Sequence, residues 1–140
     1  MNTLKLFGIA FAIFSILDAL WLGLIATSFY SKEFGTLARR TADGALSPNW
    51  GAAIAAYLVL VLAVVVFILP QFTGKPITAS VFWYGALFGV IVYGVYDLTN
   101  LATLKNWSLK VTVVDMLWGG VIYGTTGYVT ALIARYFKLM

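Results

Sequence analysis

The stretch Leu6–Tyr30, LFGIAFAIFSILDALWLGLIATSFY, decides the class of this protein. It is apolar throughout except for scattered small polar residues and one acid, Asp18. A helix needs about 20 mostly apolar residues to cross the hydrocarbon of a bilayer, and this run meets that length. It follows Lys5 as a signal peptide would, but it is too long and lacks a small-x-small cleavage pattern, so it reads as a retained helix.

Three more runs follow. A polar loop over 31–47 carries Lys32, Glu33, Arg39, Arg40, Asp43 and Gly44. Ser47-Pro48 then reads as a cap with proline in the first turn, opening a second helix over 49–69 that has no ionisable residue and closes at Pro70. Thr78 is placed to cap a third helix over 78–101, and a fourth over 111–134 ends at Arg135 and Lys138. The expected fold is all-α: a polytopic membrane protein whose whole length, 1–140, is one antiparallel bundle of four transmembrane helices (about 6–30, 49–69, 78–101 and 111–134).

Composition agrees. The chain is 62% hydrophobic and 10% charged, whereas a soluble domain commonly has about a quarter of its residues charged. Lipid must therefore solvate most of the surface. With no cysteine there is no disulfide, thiolate nucleophile or Cys-based metal site. With no histidine, the usual neutral-pH base and the commonest zinc ligand are also missing. No metal and no cofactor are expected. The net charge of +4 comes from basic residues scattered at helix ends, which suits lipid headgroups and not nucleic acid. Orientation is nearly undetermined: Lys5, Lys75, Arg135 and Lys138 fall on the side of the termini, against Lys32, Arg39, Arg40, Lys105 and Lys110 on the other. That count leans towards an Arg39-Arg40 loop facing the cytoplasm.

Small residues recur at helix-contact spacing: Ala19 and Gly23, Gly85 and Gly89, Gly120 and Gly124. Such pairs let backbones approach within the bundle, or against a second copy or a partner membrane subunit. Trp50, Trp83 and Trp107 lie near helix ends and read as an interfacial belt.

The functional signal lies in the acids. Asp18, Asp97 and Asp115 fall inside the expected helices, where each costs on the order of 2.5–3.5 kcal/mol at the centre of an isolated inserted helix. Such residues face the bundle interior and need partners. Asp97 and Asp115 lie towards the Lys105–Lys110 side, while Asp18, about 18 Å from that side, is nearer the midplane. Asp18-Ala-Leu-Trp21-Leu-Gly23 and Asp115-Met-Leu-Trp118-Gly-Gly120 share the pattern D-x-L-W-x-G, in which Asp and Trp lie on one helical face. In the third helix Tyr93, Asp97 and Asn100 form one stripe. Indole, phenol and amide groups all supply donors for a buried carboxylate. The candidate ligand- or proton-binding residues are therefore Asp18, Trp21, Tyr93, Asp97, Asn100, Asp115 and Trp118. Structural roles compete: Asp115 suits the positive N-terminal part of its helix, and Asp97 is within reach of pairing with Lys105 or Lys110.

On D-x-L-W-L-G in the first helix, Y-D-L-T-N in the third and D-x-L-W-G in the fourth, the chain resembles a family of small predicted bacterial membrane proteins classed only as a domain of unknown function. The resemblance spans essentially the whole chain. It implies a stand-alone four-helix protein of the bacterial cytoplasmic membrane and carries no established activity. A looser likeness is to small multidrug transporters, which also have four short helices and an acid in the first; acids in the third and fourth helices set this chain apart.

The expected function is binding or transport of a small cationic or lipidic ligand, linked to protons, in a polar intramembrane pocket open towards the Lys105–Lys110 side. One alternative is an accessory subunit of a larger membrane complex. The other is an intramembrane lipid-modifying enzyme using an Asp pair, disfavoured by the lack of any nucleophile motif. No catalytic residue is assigned. The second helix, having no acid, reads as a passive wall.

Overall fold

A computed structural model describes residues 2–140. Helix α1 (Thr3–Leu20) runs into a π-helical turn, Trp21–Ile25, and is followed by α2 (Thr27–Phe34) and a 3-10 turn, Gly35–Leu37. Helix α3 (Trp50–Ala63) continues through a second π turn, Val64–Ile68, and a 3-10 turn, Leu69–Phe72. Two long helices complete the chain, α4 (Ala79–Thr103) and α5 (Leu109–Tyr136). Among the described residues the fold is all-α, with an isolated bridge between Arg40 and Leu46 in place of any strand. Among the described residues three segments are long and apolar enough to cross a membrane: Thr3–Ile25, Trp50–Phe72 and Ala79–Thr103.

The long helices alternate in direction. At one end the Asn2 amide donates to the Leu139 carbonyl, and Arg135 reaches the Lys75 carbonyl. At the other, Ser108 donates to Glu33, which also pairs with Lys110 at 4.0 Å.

Helix α5 is the axis of the molecule. It buries Val111, Ile122, Tyr123, Ala131 and Ala134 together with four glycines and three threonines. A helix largely covered by protein needs apolar residues only on the face it leaves open, here Val113, Leu117 and Val121, because its neighbours cover its polar groups. That explains why this 28-residue helix, the longest, is absent from the three apolar spans. Around it, Phe14 of α1 packs edge-on between Tyr57 and Tyr123, with ring centroids 5.8 and 5.7 Å away.

Glycines bring α4 and α5 into backbone contact. A Cβ on Gly89 would lie 1.9 Å from the Gly119 carbonyl oxygen, and one on Gly85 would lie 2.8 Å from that of Tyr123. Gly124 is equally crowded, by Phe82. By contrast Gly23 has open space beside it and Ala19 is exposed, so the small pair expected in the first helix makes no such contact.

The run Leu6–Tyr30, expected as one helix, is divided. It starts earlier, at Thr3, widens at Trp21 and breaks at Ala26, where the backbone leaves helical geometry (φ −110°, ψ 5°). The π turn shifts the hydrogen-bond ladder, so that the Ala26 amide reaches back to Trp21 and the Thr27 hydroxyl takes up the Leu22 carbonyl. In the second helix the Val64 amide donates to Val61, and the Leu60 carbonyl accepts instead from the Tyr123 hydroxyl at 3.0 Å. The helix opens at Asn49, whose side chain accepts from the Ala52 amide, and not at Ser47. Thr78 does cap α4.

Arg40 makes more side-chain hydrogen bonds in the polar loop than Thr41, which bonds to Ala45. The Arg40 guanidinium donates to the carbonyls of Ser31, Gly35 and Gly44 and to the Ser31 hydroxyl, at 2.6–3.2 Å. Arg40→Ala is expected to speed amide hydrogen exchange across residues 35–46 while leaving the midpoint of global unfolding nearly unchanged, since the contacts it removes are exposed. Exchange rates equal to those of the unsubstituted protein would show that the loop is held by its backbone turns alone.

Candidate functional site

The two D-x-L-W motifs meet across the bundle. The indoles of Trp21 and Trp118 stack nearly parallel, with centroids 4.5 Å apart and an interplanar angle of 10°. Each carboxylate is served from the opposite side. Asp18 accepts from the Trp118 indole N–H at 2.9 Å and from the Tyr57 hydroxyl. Asp115 accepts from the Tyr30 hydroxyl, which in turn accepts from the Trp21 indole N–H at 3.2 Å. The arrangement is a near-symmetric exchange: Trp118 reaches the first helix's acid directly, and Trp21 reaches α5's acid through a tyrosine. Donors and acceptors balance, because an indole only donates while a phenol can do both.

Local structure makes this possible. Asp and Trp three residues apart lie one turn from each other on a helix. The π turn begins at Trp21, widening the helix at the residue that stacks on Trp118. The break at Ala26 then lets α2 carry Tyr30 inward, where it is buried with Val111 and Ala26. π turns are frequent where a helix has been adapted to a functional position.

The remaining candidates divide. The ring of Tyr93 packs directly on Gly119, where any side chain would collide with it at 2.6 Å, and lies 6.4 Å from that of Tyr123. Asn100 is half-buried one turn beyond Asp97 and is not in the hydrogen-bonded network. Asp97 is fully buried, yet neither carboxylate oxygen has a hydrogen-bond partner. The expected ion pair from Lys110 goes instead to Glu33.

Two expectations need correction. Asp18 and Asp115 do not face an open pocket: aromatic donors plug both, and Asp97 is outside their hydrogen-bonded network. The second helix is no passive wall either, since it supplies Tyr57 to Asp18 and the Leu60 carbonyl to Tyr123.

Tyr57 and Tyr30 are the functional candidates that motif reading misses. Tyr57 had a signal, being the one hydroxyl in an otherwise aliphatic helix core. Tyr30 had none, because only the break at Ala26 turns it inward. Trp107, read as interfacial, is half-buried beside Asp97 and donates to Thr112 at 3.2 Å, whereas Trp50 and Trp83 are exposed.

The profile of a family described as "Predicted membrane protein (DUF2177)" matches residues 3–132. The chain belongs to this family. All the motifs of the site fall within the matched region. No curated protein and no solved structure matches the chain.

Proposed function

We propose that this membrane protein, a member of a family of unknown function, binds a small lipophilic organic cation between Asp18 and Asp115, and carries it across the bilayer with α5 as a fourth crossing helix. The observation that carries the reading is the Trp21–Trp118 stack flanked by the two carboxylates. In this state the indoles cover each other. If they part, two π faces and two counter-charges line one space, and a desolvated cation over an indole gains about 2 kcal/mol or more. The aromatic walls suit a ligand with apolar bulk, and the acids require it to be positive. Asp18 is the primary counter-charge, because it accepts directly from an indole of the stack, whereas Asp115 is reached through Tyr30.

Tetraphenylphosphonium titrated into the full-length protein in lipid vesicles is expected to quench tryptophan fluorescence saturably. Asp18→Asn and Asp115→Asn should each weaken binding at least about tenfold, the equivalent of 1.4 kcal/mol, with the helical circular dichroism unchanged. Binding of equal strength in both variants, or none in the unsubstituted protein, would defeat the reading.

A further inference from the structure

We propose that Asp97 is the binding site of a small monovalent cation, a proton or a sodium ion, that exchanges with solution at the loop end of the bundle. The inference stands on Asp97 and not on the aromatic site. Three acids occupy the interior of one small bundle, and the protein treats them unequally. Asp18 has two hydrogen-bond donors and Asp115 has one. Asp97 has none, although it is the most buried of the three, with 0% exposure against 6% for Asp18.

A buried carboxylate without donors is among the most unfavourable features a fold can hold, so something other than a side chain must neutralise it. Every nearby group fails in that role. The Trp107 indole stands beside it, but its N–H makes its well-formed hydrogen bond to Thr112, at 3.2 Å, and leaves Asp97 at most a weak share. Asp115, facing it from α5, is of like charge and is taken by Tyr30. Lys110, at the start of α5, pairs with Glu33. Gly94, one turn earlier on α4, is closed by the Met116 side chain, whose methyl would stand 3.1 Å from a Cβ there. The Met116 side chain fills the space beside Gly94, and a proton or a bare ion is the neutraliser that needs no further room. Access is short: Asp97 lies six residues before the end of α4 at Thr103, about 9 Å along the helix axis.

The test is infrared difference spectroscopy on the full-length protein in vesicles, stepping pH at fixed sodium and then sodium at fixed pH. If the occupant is a proton, a protonated-carboxyl stretch is expected to appear and vanish with pH. If it is sodium, the carboxylate stretches are expected to shift when sodium is added. The band that distinguishes the unsubstituted protein from Asp97→Asn is the Asp97 response; it should be retained in Asp18→Asn and displaced in frequency in Asp97→Glu. The glutamate variant keeps the test decisive should the asparagine variant fail to fold. A protein silent to both steps, or one whose difference spectrum Asp97→Asn leaves unchanged, would overturn the assignment. Loss of phosphonium binding with an intact Asp97 response would defeat only the proposed function.

Discussion

Gly89→Ala is expected to unfold this protein more readily than any other single-methyl change. The added Cβ would stand 1.9 Å from the Gly119 carbonyl oxygen, 2.6 Å from its carbon and 2.8 Å from the Tyr123 Cβ. Overpacking a core usually costs 1–3 kcal/mol, because flexible side chains give way. Here the first obstacle is backbone, and relief requires α4 and α5 to move apart along the interface that holds the axis of the bundle. The cost is therefore expected at or above about 3 kcal/mol, the top of that range. Gly8→Ala is the matched control: it adds the same methyl to α1 with nothing within 4 Å. It should be neutral or stabilising by up to about 1 kcal/mol, since alanine is the better helix former. Detergent titration followed by far-ultraviolet circular dichroism reads both. Similar midpoints for the two variants would mean that α4 and α5 do not meet as described.

The same pair of glycines shows what the sequence can and cannot disclose. Helical membrane segments are legible because hydrocarbon admits few alternatives: a long apolar run must satisfy its own backbone. The stripes around Asp18 and Asp115 were legible for a related reason, since an acid in such a run must turn inward. Which small residues form contacts was not legible. Gly85 and Gly89 meet α5 while Ala19 and Gly23 meet nothing, although both pairs have the same spacing. The breaks were equally hidden. Nothing in LWLGLIATSFY marks a π turn followed by a kink at Ala26, yet that kink brings Tyr30 to Asp115. Partners also cannot be read from the acids themselves: Tyr57 arrives from a helix with no acid, and Tyr30 from beyond the break at Ala26.

Removing both donors of Asp18 is expected to damage the fold more than removing Asp18 and its donors together. Tyr57→Phe and Trp118→Phe each delete one polar atom while keeping an aromatic ring, and Trp118→Phe still offers a face to Trp21. Losing one partner of a buried polar group costs about 1–3 kcal/mol, more when the group is charged. The single variants leave Asp18, only 6% exposed, with one donor. The double variant leaves it with none, so the two losses should exceed additivity. Adding Asp18→Leu to the double variant removes the stranded carboxylate and is expected to recover at least about 1 kcal/mol, because an apolar replacement of every partner can be nearly neutral. Unfolding midpoints of the two singles, the double and the triple variant complete the comparison. If the leucine instead lowers stability further, Asp18 is held by something other than Tyr57 and Trp118, and the hydrogen-bonded pairing of the two D-x-L-W motifs is not what closes this end of the bundle.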